Sequence, residues 1–405
     1  FSRPATPPLR IIRRMASVPS AFHNGREPQS DRAQARRLMQ AFAERTGLTS
    51  DVVPRRYLWT DAFAVCNFLA LDEIDLAEAL IEQVHFVLGR HRADDTRRGW
   101  ISGLDEETGA AHPTRGGLRI GKAMPERAPD EEVYDQDLEW ERDGQYFHYL
   151  TRWMHALDQF ARRTGQAETG RWARELAQAA HGAFTYAPTP GAPKRMVWKA
   201  SIDLSRPLIS AMGQHDALDG VITYLQLRTH RTSETDGPDL DAELRDMATI
   251  VAGTNLLTDD PLGIGGLLAD AYRLVQLLRD RPGDNGLLGL VLAAAASGLN
   301  VYLRRRPFAR PVEQRLAFRE LGLAIGLQAV SRMWRVLERE SGDDATQPAL
   351  RNSLDALIAQ VPVARSLIGY WSDPARQAAD SWRAHEDINA VMLATALVPS
   401  GYLDL

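Results

Sequence analysis

Carboxylates and histidines in this chain stand at the mouths of apolar stretches, where acid and base chemistry can be set up. Asp61 follows Tyr57-Leu-Trp59-Thr and precedes Ala-Phe-Ala-Val. Asp135, Asp137, Glu139, Glu141 and Asp143 alternate ahead of Gln145-Tyr-Phe-His148 and would face one way in an extended segment. His385-Glu386-Asp387-Ile-Asn389 precedes Ala390-Val-Met-Leu-Ala-Thr-Ala-Leu397. An unpaired carboxylate against an apolar helix is costly, so each of these groups either caps its helix or faces a wet cavity. Burial and crowded like charges raise carboxyl pKa values, which is how a general acid is made near neutral pH. The candidate catalytic groups are therefore Asp61, Glu141, Asp143, His148, His385 and Glu386.

Candidate binding residues surround them. Tyr57, Trp59 and Trp140 are aromatic faces of the kind that stack on sugar rings, and Gln145 and Asn389 stand in the same polar clusters. Lys199 and Arg206, in Trp198-Lys-Ala-Ser201-Ile-Asp203-Leu-Ser-Arg206-Pro207, would suit a sugar acid or a phosphate. The plainer readings are a solvated acidic loop at 135–143, a Ser or Asp cap before Pro207, core aromatics, and a structural turn at Gln214-His215-Asp216-Ala-Leu-Asp219.

Metal and cofactor signatures fail on spacing. An EF-hand starting at Glu139 requires Glu at its twelfth position, where Leu150 stands. His148 and His155 share a helix face but have no third ligand nearby, and Cys66, the only cysteine, supports neither a disulfide nor a cysteine zinc site. Cys66 sits in an apolar run and reads as a core thiol. Gly263-Ile-Gly265-Gly266 follows no strand and precedes no Lys-Ser/Thr, so it meets neither nucleotide fingerprint; small residues there let helices pack closely. No metal and no cofactor are expected.

The elements that must position these groups are helices. With 405 residues, 44% hydrophobic and 25% charged, the chain can bury a large core. Its net charge of -5 offers no basic field for nucleic acid. The run Gly286 to Ala296 is shorter than the roughly 20 apolar residues of a bilayer span and reads as a buried central helix, so no membrane partner is expected. Residues 1–30 read as a flexible basic arm and 31–405 as one domain with an insertion loop at 93–142. The absence of disulfides points to a reducing, cytoplasmic compartment.

Apolar stretches alternate with amphipathic ones: 57–71 with 72–91, 143–164 with 167–184, 205–213 with 216–230, 262–279 with 286–303, and 314–340 with 346–360, before 385–397. Helices apolar nearly all round are buried, whereas helices with a polar face lie outside. Inner helices are expected to start near 57, 145, 205, 262, 286, 317 and 387 and to point those starts to one end. Sheet is minor, with short pieces around 99–120 and 194–201.

This rhythm, with Trp59-Thr-Asp61, Gln145-Tyr-Phe-His148-Tyr-Leu-Thr-Arg-Trp153 and His385-Glu-Asp-Ile-Asn389, resembles the six-hairpin glycosidase superfamily, which includes the N-acylglucosamine 2-epimerase group. The resemblance implies an all-α fold, an (α/α)6 toroid of alternating inner and outer helices with long loops. It also implies that inner-helix starts and their loops line a sugar site. The expected function is that of a carbohydrate-active enzyme, a glycoside hydrolase using paired carboxylates on a sugar or oligosaccharide. One alternative is a sugar epimerase or isomerase using His148 and His385. A second is a non-catalytic helical carbohydrate-binding or scaffold protein in which the polar helix starts are caps.

Overall fold

The computed structural model describes residues 27–131, 135–231, 237–279, 286–340 and 348–405. The expected basic arm at 1–30 lies outside these except at its end, where the first helix already begins at Gln29. Parts of the loop 231–243, together with Asp284 and Asn285, also fall outside.

The fold is helical. The first half holds α1 (Gln29–Arg45), α2 (Leu58–Ala70), α3 (Ile74–Leu88), α4 (Glu106–Ala111), α5 (Gln136–Glu141), α6 (Phe147–Thr164), α7 (Ala167–Phe184) and α8 (Asp216–Thr229). The second half holds α9 (Asp241–Ala252), α10 (Pro261–Leu278), α11 (Gly286–Arg304), α12 (Ala317–Glu340), α13 (Pro348–Ile358), α14 (Val361–Ser372), α15 (Pro374–Gln377), α16 (Asp380–Arg383), α17 (Glu386–Leu397) and α18 (Ser400–Leu403). Strands are short. β1 (Gln145–Tyr146) pairs antiparallel with β4 (Lys199–Ala200), which pairs with β5 (Pro207–Ile209), while β2 (Thr185–Tyr186) pairs with β3 (Arg195–Met196).

Burial separates two kinds of helix, as the hydrophobic patterns require. α2 is buried from Leu58 to Leu69 and α17 from Asn389 to Leu397, whereas α1 buries only Ala35, Met39, Phe42 and Ala43. The buried set packs in sequence: α2 on α6, α6 on α8, α8 on α10, α10 on α12, α12 on α17, and α17 back on α2. The approach of α10 to α12 depends on missing side chains. A Cβ on Gly265 would stand 2.1 Å from the Gly322 carbonyl oxygen, and one on Gly326 would stand 2.6 Å from the Gly265 Cα.

Four local expectations are corrected. No helix forms at 205–213: Ser201 and Ser205 hydroxyls and the Ser205 N–H donate to Asp203, a turn results, and Pro207–Ile209 pairs with β4 as a strand. The position among the buried helices is taken instead by α8, starting at Asp216. α11 is not central; it packs on α10 and α13 and leaves Leu290 64% exposed. The segment Gly286–Ala309, which contains α11, is long and apolar enough to cross a bilayer, with 39% of its most apolar window buried within this fold. Finally, the acids at 135–143 are not extended, because Asp135 accepts from the Leu138 N–H and starts α5. Among the described residues, 99–120 contains no strand, only a bridge from Arg90 to Trp100.

Candidate active site

Two adjoining chambers open among the starts of the buried helices. The inner one, about 250 Å³, is lined by Trp59 of α2, His148 and Arg152 of α6, Asp216 and Asp219 of α8, Leu262, Gly266 and Asp270 of α10, and Tyr402 of α18. The outer one, about 950 Å³, is lined by Tyr57, Asp61, Lys122, Trp140, Glu141, Tyr149, Arg319, His385, Glu386 and Asp387. Trp59, His148 and Leu262 line both, so the chambers share a wall. Aromatic rings run from one to the other: Trp140 stacks on Trp198 at 5.5 Å, and Trp198 lies parallel to His148 at 6.3 Å.

The inner chamber gathers charged side chains that are themselves buried. The Arg152 guanidinium donates to Asp219 at 3.0 Å and lies 3.7 Å from Asp270, which also accepts from Arg273 at 3.0 Å. Burial pushes the Asp219 carboxyl well above the usual carboxylate range, and Asp270 adds to the effect. Burial pushes Asp270 the same way, but Arg152 and Arg273 outweigh it and hold that carboxyl low. The two carboxyls are thus pushed in opposite directions, Asp219 up and Asp270 down.

Asp216 opens α8. Burial raises its carboxyl to about 7, against the pull of Arg152 and of the hydrogen bond it accepts from the Gly213 N–H. Its Oδ2 has no hydrogen-bond partner among the described residues, nor has His148 Nδ1 or Arg152 Nη1. Burial pushes the His148 imidazole down to about 3, helped by Arg152 and His215, so it is neutral at physiological pH.

In the outer chamber, Asp61 both lines the cavity and satisfies its helix, since its Oδ2 accepts from the Tyr57 N–H at 2.9 Å. Burial raises this carboxyl to about 6, although Arg56 at 3.6 Å opposes it. Glu386 and Asp387 pair with Arg45 and so tie α17 to α1.

The structure therefore brings Asp61, Glu141, His148, His385, Glu386, Tyr57, Trp59 and Trp140 to one two-chambered cavity. It places the other candidates outside it, each in a bonded structural role. Asp143 accepts from Arg119 at 2.6 Å and from the Gly121 N–H at 3.0 Å. Gln145 bridges the Leu118 N–H and the Ile202 carbonyl. Lys199, fully buried, donates to Glu139 and to the Arg142 carbonyl. Arg206 donates to the Arg127 carbonyl. Asn389 joins the Phe318 N–H to the Trp382 carbonyl.

Sequence reasoning passed over Asp216, Asp219, Asp270 and Arg152, the charged core of the inner chamber. A signal was present. Asp216 and Asp219 sit three apart at the front of a stretch buried through Tyr224, so both carboxyls point from one helix face. Reading 205–213 as the inner helix hid it. Among the described residues, no group of three or more His, Cys, Asp or Glu is placed to hold a metal ion. The chain matches no protein-family model, no curated protein and no solved structure.

Proposed function

We propose that this protein is a carbohydrate-active enzyme, a glycoside hydrolase with Asp216 as proton donor and Asp61 as the carboxylate base. The observation that carries this reading is the unpartnered Asp216 oxygen, buried in a cavity walled by Trp59 and Trp198. Environments that push two carboxyl pKa values apart divide acid from base. Here burial raises both carboxyls toward neutrality, Asp216 to about 7 and Asp61 to about 6. Among the described residues, only Asp61 of the two has a guanidinium, Arg56 at 3.6 Å, in its immediate shell to favour its charged form. In the reaction the Asp216 proton passes to the glycosidic oxygen as the bond from that oxygen to the anomeric carbon breaks. A water oxygen bonds to the anomeric carbon, and its proton passes to Asp61.

The order of packing, α2, α6, α8, α10, α12, α17 and back to α2, supports an (α/α)6 toroid like that of the six-hairpin glycosidases. The lone buried thiol of Cys66, which burial pushes up to about 12, is in keeping with a cytoplasmic setting. A sugar epimerase would need a proton acceptor, and His148, with its imidazole held near 3, is a weak one at neutral pH.

The test is glycan cleavage by the wild type, Asp216→Asn and Asp61→Asn. General acid or base catalysis contributes typically 10²–10⁴-fold, and each amide variant should lose about that much turnover while keeping its fold and its affinity for sugar. Isomerisation without cleavage, with loss tracking His148→Ala, would replace this reading with the epimerase one. Saccharide binding without turnover would make the protein a binding module.

A further inference from the structure

The far end of the inner chamber is stopped by α18. Tyr402 lines the chamber and its carbonyl accepts from His155 Nε2 at 3.0 Å. Gln159 Nε2 donates to the Gly401 carbonyl at 3.1 Å, and Gln276 Nε2 donates to the Leu403 carbonyl at 2.9 Å. Gly401 presses so close to α2 that a Cβ there would stand 2.1 Å from the Cys66 carbonyl oxygen. α18 is thus pinned to α2, α6 and α10 across the end of the helix set. Ile325 and Met392, both buried, line the chamber from α12 and α17.

We propose that the inner chamber is a blind subsite for one uncharged sugar ring, so that the protein removes single residues from the ends of glycan chains. This rests on the hydrolase reading for the cleavage step, but not for the binding. At about 250 Å³ the chamber falls just under the roughly 300–1,000 Å³ of sites that bury drug-sized ligands, so one ring fills it and two do not. The remainder of a chain lies beyond the chamber's mouth, toward the exposed Gln214 and the outer chamber of about 950 Å³.

The polar groups fit hydroxyls and repel carboxylates. Asp216 Oδ2, His148 Nδ1 and Arg152 Nη1 have no partners among the described residues, and a buried polar atom left unmatched is costly until a ligand supplies one. Arg152 is the only Lys or Arg on the lining, and it is already held between Asp219 and Asp270. A uronate would bring its negative charge beside Asp270, and the one arginine that lines the chamber among the described residues is already committed to Asp219 and Asp270.

Gly266 provides a clean test. It lines the chamber, and a Cβ there would meet nothing nearer than Arg152 Nη2 at 3.8 Å, so a side chain enters open space. Gly266→Leu replaces a helical glycine by a better helix former, and the fold should survive.

Titrating the full chain with glucose, galactose, mannose, N-acetylglucosamine and glucuronate, read by tryptophan fluorescence from Trp59 and Trp198, should show saturable binding of a neutral sugar and none of glucuronate. Gly266→Leu should weaken that binding at least tenfold without lowering Tm. Digests of linear neutral oligosaccharides should release monosaccharide first, with the chain shortened by one. Internal fragments appearing first would overturn chain-end action and leave the hydrolase reading standing. Glucuronate binding as well as neutral sugars, or unchanged binding in Gly266→Leu, would overturn the subsite. Neutral-sugar binding that Gly266→Leu abolishes, without any cleavage, would support the subsite and overturn the hydrolase reading. Neither binding nor cleavage would overturn both.

Discussion

His148 Nδ1 lies 3.6 Å from Asp216 Oδ1, just beyond hydrogen-bond reach, where the inner and outer chambers meet. A buried carboxyl and a half-buried imidazole left so nearly paired gain little stability from each other as they stand. The stability of the protein should record the cost of burying the Asp216 carboxyl. Asp216 has an ordinary carboxyl pKa of 3.8 when exposed and about 7 in the fold. Below 3.8 both states are protonated and the group is neutral to stability. Between 3.8 and about 7 the unfolded chain loses the proton while the native protein keeps it, so stability falls as pH rises through this window. At 1.36 kcal/mol per unit the loss is roughly 4 kcal/mol at most. Asp216→Asn has nothing to ionise, so it should match the wild type near pH 4 and melt higher than the wild type at pH 8. Parallel melting curves across that range would mean that Asp216 is already ionised in the native protein.

Activity should follow a narrow bell in pH. The rising limb requires Asp61 to lose its proton, near 6, and the falling limb requires Asp216 to keep its own, near 7. Profiles of kcat/KM report such groups in the free enzyme. Asp61→Asn should remove the rising limb from the residual activity, and Asp216→Asn the falling one. Limbs that stay in place in both variants would assign the two protons to other groups.

The sequence carried the helical class, the alternation of buried and half-exposed helices, and half of the cavity. Asp61, Trp59 and His148 were visible because each is polar or aromatic at the mouth of a long apolar run, and such mouths meet in one place when buried helices pack side by side. The inner chamber was hidden by a competing local signal. Ser-Arg-Pro-Leu-Ile reads as a proline-started helix, but strand pairing with Lys199–Ala200 claims those residues instead. Asp143, Gln145, Lys199 and Asn389 misled for the opposite reason. Buried polar side chains that hold loops to helices look the same in sequence as those that hold ligands, since only the partner differs and the partner is distant: Arg119 is 24 residues from Asp143, and Lys199 is 60 from Glu139.

Asp143 separates those two classes experimentally. Its carboxylate is fully buried against Arg119 and accepts two backbone N–H groups, from Gly121 and Lys122. Removing one partner of a buried ion pair typically costs about 3–5 kcal/mol because the other charge stays behind. Asp143→Ala should therefore lower stability on that scale in chemical denaturation. Activity per folded molecule, and the pH at which it peaks, should not change. A shift in the pH profile at unchanged stability would put Asp143 in the chemistry.

The closest helix approach should be the fold's most exacting point. Gly265 of α10 faces Gly322 and Gly326 of α12, and a Cβ at 265 would meet the Gly322 carbonyl oxygen at 2.1 Å and its carbon at 2.4 Å. Both obstacles are backbone, so no side chain can swing aside and the helices must separate. Overpacking of this kind costs typically 1–3 kcal/mol. Gly265→Ala should be destabilised on that scale even though alanine is the better helix former. Gly266→Ala, one residue along and facing open space, should be neutral or more stable by up to about 1 kcal/mol. The pair keeps helix propensity constant, so the difference in denaturation midpoint measures the contact alone. It also reaches the site, because α10 carries Leu262, Gly266 and Asp270 of the inner chamber on the same rigid rod. Pushing α10 away from α12 should weaken monosaccharide binding in Gly265→Ala. Equal stability of the two alanine variants would show that α10 and α12 do not meet at these glycines.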